Sequence, residues 1–203
     1  MSSNFEFEEK LYSAGYKYIA GCDEVGRGCI AGPVYACAII MKPDSKIVGV
    51  NDSKKLTDKK RRELFPKILE EALCYSVISL DNLVIDEINI LEASRKAMEL
   101  AVDGLEVKPD YILTDAMKLH TDIPYIDIIK GDLKSYTIGC ASIIAKVIRD
   151  DFMIELSKEC PFYGWEKNKG YPTKQHKLAL YEYGITKYHR KTYEPVKICL
   201  QKD

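Results

Sequence analysis

The sequence predicts an α/β protein: a mixed sheet flanked by helices, followed by a small C-terminal helical extension. Short apolar, β-branched runs alternate with longer stretches of helical periodicity, the pattern of a sheet with helices packed on it. The first two strand-like runs are joined only by a short glycine-rich turn, which leaves no room for a helical crossover and makes the sheet mixed. No linker, repeat or low-complexity segment divides the 203 residues. A chain of that length can bury about two-thirds to 70% of its unfolded surface around one core.

The elements follow in order. Residues 5–14 carry aromatic and apolar positions at helical spacing, and YKYIAGCDE then reads as a strand ending in two acids. After the turn, PVYACAII is a run suited to a buried strand. Thr57 and Asp58 are positioned to cap a basic helix near 58–72, in which Pro66 is a breaker. CYSVISL is another strand, Asp81 a cap, and INILEASRKAMELAVDGL a helix with Leu91, Met98 and Ala101 on its apolar face. DYILTDA is a strand closing on Asp115, and PYIDIIKGD another closing on Asp132. TIGCASIIAKVIRDDFMIELSKE is the longest helix, buried in its first half. PTKQHKLALYEYG is a short capped helix stopped by Gly184. We divide the chain into a core over 1–157 and a basic helical extension over 158–203, packed together as one unit.

Composition narrows the function. No apolar run reaches the roughly 18 residues needed to span a bilayer, and MSSNFEFEEK is acidic where a signal peptide is basic and then apolar. A cytoplasmic protein with no membrane partner is expected. The seven cysteines are odd in number and form no Cys-x-x-Cys pair, and His120, His176 and His189 are scattered. That favours reduced thiols and argues against zinc, so any metal would be a hard ion held by carboxylates. The net charge is −1, so a nucleic-acid partner has to be argued from where the charges lie. From Lys158 onward there are ten Lys or Arg against five Asp or Glu, and Lys54, Lys55, Lys59, Lys60, Arg61 and Arg62 form a second basic cluster. Either cluster by itself also reads as a solvated helix face.

Asp23, Glu24, Asp115 and Asp132 each fall at or just past the end of an apolar run. Singly, such acids face water. Together, if the strand ends are neighbours, they make a self-repelling cluster that a divalent cation would neutralise. Two such ions ~3.5–4 Å apart stabilise both the attacking and the leaving oxygen of a phosphoryl displacement. The turn GRGCIAGPV places Gly26, Gly28 and Gly32 around Arg27, and glycine lets a backbone approach a ligand closely. It is not a P-loop, because Gly32 is followed by Pro33 and Val34 where that loop requires Lys and Ser or Thr.

GCDEVGRGCIAGPV, NDSKKLT, YILTDA, IIKGDLKSYTIGCASIIAKVIRDDFM, NKGYPTKQH and HRKTYEPV resemble the successive blocks of the ribonuclease HII family, in the right order over most of 18–196. The resemblance implies a ribonuclease H-like fold with a five-stranded mixed sheet. It also implies an endonuclease that cuts the RNA strand of RNA–DNA hybrids and nicks duplexes 5′ of embedded ribonucleotides. Asp23, Glu24, Asp115 and Asp132 match its metal-binding acids, holding two Mg²⁺ or Mn²⁺ ions during catalysis, with Asp23 shared between them. Gly26, Arg27 and Gly28 match the segment that reads the 2′-hydroxyl, the group that distinguishes RNA from DNA at one position. Tyr171 matches the tyrosine that stacks on the sugar. Lys54, Lys55, Lys146, Arg149 and Lys174 lie in matching blocks as phosphate contacts, which add affinity but no sequence readout.

Val25, Cys140 and Pro172 depart from the common family pattern. The first two adjust packing beside the site, and Pro172 restricts Tyr171 toward extended geometry. The partners implied are the hybrid and the ribonucleotide-containing duplex, with a monomer and no obligate protein partner. Two rival functions share part of this pattern. A strand-transfer enzyme on the same fold would share the acids without needing Arg27 and Tyr171 as a sensor. A non-catalytic hybrid binder would be expected to have lost an acid.

Overall fold

The computed structural model describes residues 4–50 and 56–201. In chain order the elements are α1 (Glu6–Ser13), β1 (Ile19–Val25), β2 (Val34–Met41), α2 (Asp58–Glu71), β3 (Ala72–Leu80), α3 (Asn82–Asp103), β4 (Tyr111–Asp115) and β5 (Tyr125–Ile128). Then follow α4 (Gly131–Lys134), α5 (Tyr136–Glu159), a 3₁₀ turn at Pro161–Tyr163, α6 (Trp165–Asn168), α7 (Lys174–Tyr183) and α8 (Glu194–Leu200).

The sheet has five strands in the order β3-β2-β1-β4-β5. β1 pairs antiparallel with β2 and β2 with β3, while β4 joins β1, and β5 joins β4, in parallel. The mixed sheet expected from the short first turn is therefore present. All eight residues of β2 are buried, because both faces of the sheet are covered. One face packs Ala20, Cys22, Ala36 and Ile40 against Met98 and Ala101 of α3. The other packs Cys37, Ile39 and Met41 against Leu64 and Ile68 of α2 and Cys140 and Ile144 of α5. A third cluster ties Ile30 and Ala31 to Met153, Trp165, Leu180 and Val196, so the glycine turn shares a core with the C-terminal helices.

Local chemistry accounts for the helix starts. Thr57, Asp81, Ser135 and Thr173 each accept an N–H of the first turn of α2, α3, α5 and α7. Three expectations are corrected. Pro66 does not break α2, since it sits on the exposed side between the buried Leu64 and Ile68, where water can serve the carbonyl it leaves free. α3 starts earlier than expected and is interrupted at Asn89, whose φ is 65°. Leu91, just past the interruption, is exposed, whereas Met98 and Ala101 are buried. Finally, β5 ends at Ile128, and Asp132 lies instead in α4, after a left-handed Lys130. Among the described residues no helix is long and apolar enough to cross a membrane.

Candidate active site

β1 carries Asp23 opposite Cys37 of β2, and the parallel partner β4 ends on Asp115. Burial raises the Asp23 carboxyl well above the usual range, and the charges of Glu24 and Asp115 raise it further. Ser142 of α5 opposes this by hydrogen bonding to it, as does the Glu24 N–H at 2.7 Å. Burial also raises Glu24, with Asp115 adding to it and Arg27 acting against it. Glu24 Oε1 accepts from Arg27 Nη1 at 3.2 Å, while Oε2 is buried with no hydrogen-bond partner.

Asp115 reaches the α4 segment directly, its Oδ1 accepting the Gly131 N–H at 2.7 Å. Ala116 and Lys130, at either end of this link, both have positive φ (50° and 59°). Such backbone is disfavoured for non-glycine residues and tends to persist where the surroundings enforce it. Asp132 follows in the first turn of α4 and is buried. Three acids thus sense one another, and the fourth is tied to them through one hydrogen bond and one residue. Among the described residues, no three carboxylate, imidazole or thiol groups already converge closely enough to enclose an ion. The acids nonetheless suit a divalent cation. Asp23 and Asp132 are buried and Glu24 and Asp115 half-buried, Asp23, Glu24 and Asp115 repel one another, and Glu24 presents an oxygen with no donor.

The glycine turn lies beside these acids. A cleft of about 230 Å³ is lined by Asp23, Glu24, Val25, Gly26, Arg27, Gly28, Ser142, Lys146 and Tyr171. Gly26 has φ 99°, and a Cβ there would stand 2.3 Å from Arg149 Nε, so backbone and space both demand glycine. At Gly28 the nearest group to a Cβ would be Tyr171 Cε1, at 3.7 Å. The Tyr171 ring is partly exposed, and burial pushes its hydroxyl up to about 12. Lys146 Nζ lies 5.9 Å from the centre of that ring and 2.7 Å from Asp150 Oδ1.

The family model for Ribonuclease HII matches residues 20–196. The chain belongs to the ribonuclease HII family. A ribonuclease HII from Caldicellulosiruptor saccharolyticus is 50% identical over 190 residues, covering 93% of this chain and 93% of the relative. Another, from Bacillus licheniformis, is 51% identical over 191 residues, 94% of this chain and 75% of its own length. The crystal structure of the ribonuclease H2 from Pyrococcus horikoshii matches with a TM-score of 0.82 and 28% identity, over 91% of this chain and 98% of that one. The five-stranded sheet with its flanking helices is the ribonuclease H-like fold.

Within this ribonuclease HII chain the basic residues are distributed differently from the sequence expectation. Arg149 is fully buried and donates to three backbone carbonyls, Pro33 O at 3.0 Å, Lys169 O at 2.9 Å and Ala31 O at 3.5 Å. Its donors are spent on the backbone beneath the turn. Lys174 opens α7 and lines a separate hollow with Phe162, Leu178 and Tyr183. Lys54 and Lys55 lie outside the described residues. Ser142 is the residue that sequence reasoning missed. A serine amid the apolar first half of α5 is the signal, since a buried hydroxyl needs a partner.

Proposed function

We propose that this ribonuclease HII hydrolyses the RNA strand of RNA–DNA hybrids and nicks DNA duplexes 5′ of embedded ribonucleotides, leaving 3′-hydroxyl and 5′-phosphate ends, and that it serves to remove ribonucleotides from DNA. The observation that carries this reading is one cleft shared by an acid pair, a glycine turn and an exposed aromatic ring. Asp23, Glu24, Asp115 and Asp132 would hold two Mg²⁺ or Mn²⁺ ions, which supply activation of water and neutralise the charge developing at phosphorus. Ser142 and the Glu24 N–H keep the Asp23 carboxylate oriented. The backbone of Gly26, Arg27 and Gly28 contacts the 2′-hydroxyl, and the Tyr171 ring stacks on the sugar. Lys146 lies within reach of a phosphate beside that ring, and Lys54, Lys55 and Lys174 serve more distant phosphates. Arg149 acts from beneath, as a support for the turn. Residues 158–203 form an extension on the 1–157 core, acting with it as one unit and contributing Tyr171. The enzyme works in the cytoplasm as a monomer, with no obligate protein partner.

The test is a DNA duplex with one embedded ribonucleotide, incubated with Mg²⁺ or Mn²⁺ and then with chelator. A single cut 5′ of the ribonucleotide that stops on chelation is expected. No cut, or a cut that survives chelation, sinks the reading.

A further inference from the structure

Two arginines, Arg149 and Arg190, are fully buried beneath the glycine turn, and among the described residues neither has a carboxylate within ion-pair distance. Burying an unpaired charge is costly, so its hydrogen bonds have to accomplish something an apolar side chain could not. Arg190 Nε donates to Gly32 O at 3.0 Å and its Nη1 to Arg27 O at 3.0 Å. The Tyr193 hydroxyl donates to the same Arg27 oxygen at 2.7 Å and accepts from Arg190 Nη1 at 3.1 Å. Both lone pairs of the Arg27 carbonyl are therefore committed inward. The Arg190 N–H also donates to Ile30 O, 2.9 Å away, so the segment grips the turn at three carbonyls.

A consequence follows from peptide geometry. In a planar trans peptide the C=O and the next N–H point in opposite directions. With the Arg27 carbonyl drawn down onto Arg190, the Gly28 N–H must point the other way, toward the cleft that Gly28 lines. That places a backbone donor, with no side chain to screen it, where a ribose oxygen would approach.

We propose that Arg190 and Tyr193 are positioning residues for ribonucleotide recognition, holding the Arg27 carbonyl inward so that the Gly28 N–H is presented to the 2′-hydroxyl. This rests on the reading that the Gly26–Gly28 turn contacts that hydroxyl. Arg190 is suited to the task because its rigid fork spans two carbonyls, which a lysine ammonium cannot reproduce.

The experiment compares Tyr193→Phe, Arg190→Lys and Gly28→Ala with the parent enzyme on two substrates, a DNA duplex with one ribonucleotide and a continuous RNA–DNA hybrid. The single-ribonucleotide duplex offers one 2′-hydroxyl, whereas the hybrid offers neighbours that also contribute. The readout is the ratio of kcat/KM on the first to that on the second, alongside a thermal melt of each variant. Tyr193→Phe removes one oxygen and should melt near the parent while the ratio falls roughly fivefold. Arg190→Lys should lower the ratio further. A purely structural role would depress both substrates together and leave the ratio unchanged in Tyr193→Phe, which overturns the proposal. Gly28→Ala separates the two levels, because its methyl fits the protein but stands where the ribose would approach. If Gly28→Ala lowers the ratio and Tyr193→Phe does not, the positioning role fails; if Gly28→Ala itself leaves it unchanged, the turn reading fails.

Discussion

Asp23 is stabilised poorly as an anion in the folded chain: it is buried, and the charges acting on it, Glu24 and Asp115, are acids. Replacing it by Asn keeps the shape and removes the charge. We expect Asp23→Asn to lose at least roughly 10³-fold in cleavage, yet to unfold about 1–2 kcal/mol later in chelator, because repulsion and desolvation are both relieved. Urea unfolding of the metal-free proteins measures this, and an unchanged midpoint would contradict the electrostatic picture. At the other side of the cleft, Tyr171→Ala removes the exposed ring facing Gly28. Its activity should fall most on duplexes with a single ribonucleotide, and an unchanged preference between substrates would remove Tyr171 from the sensor. At this scale the acids and the glycines were legible in the sequence, because several carboxylates at the ends of apolar runs and three clustered glycines suit neither a packed core nor an ordinary surface. Ser142 and the buried role of Arg149 were not. A serine or an arginine reads the same whether it faces water or a carbonyl.

At the scale of elements, the contact between β1 and α5 decides where the site forms. A Cβ on Gly21 would stand 2.4 Å from the Thr137 backbone carbon, so Gly21→Ala has to push α5 off the sheet and carry Ser142 away from Asp23. Overpacking of this kind costs about 1–3 kcal/mol, and both stability and cleavage should drop; a variant with parental melting and kinetics would refute the tight contact. The end of the chain is held by a second device. His176 Nδ1 lies 3.0 Å from Tyr171 O, and its Nε2 accepts from Trp165 Nε1 at 3.0 Å and lies 3.1 Å from His189 Nε2. The Thr186 N–H donates to His189 Nδ1, so with both rings neutral His189 Nε2–H and Trp165 Nε1–H share the acceptor at His176 Nε2, and an added proton there would set donor against donor. Burial lowers His176 and brings His189 down to about 3, with His176 contributing. Both folded values lie below the free-histidine value of 6.5. The unfolded chain therefore takes up protons first, and stability is present above pH 6.5 and lost as pH falls. The slope should approach about 1.4 kcal/mol per pH unit for His189, with His176 adding in the same direction. Denaturant unfolding between pH 7 and pH 5 tests this, with His189→Asn expected to flatten the dependence. The starts of α2 and α7 were legible because a cap acts within three residues. The interruption of α3 at Asn89 and the short helix bearing Asp132 were not, since each depends on a backbone conformation that no apolar period reports.

For the molecule as a whole, a folded state that gathers acids and an unfolded state that scatters them respond differently to divalent cations. Mg²⁺ or Mn²⁺ should raise the unfolding free energy, by about 2.7 kcal/mol at a hundred times the dissociation constant, and Asp23→Asn should lose that increment. Thermal melts with and without chelator decide it; equal stabilisation of parent and variant would place the cation elsewhere. Strand and helix alternation, caps, the acids and the order of the motifs were determined by the sequence itself, because φ/ψ preference, side-chain period and residue chemistry act within a few positions. Only the tertiary structure decided that parallel pairing sets β4, and so Asp115, beside β1. Only there did Tyr171 come to face Gly28, and Arg149 and Arg190 come to hold the turn from below. Those contacts join residues far apart in the chain. They form because burial and hydrogen bonding, summed over the whole core, outweigh the entropy of closing long loops, and no single segment encodes that sum.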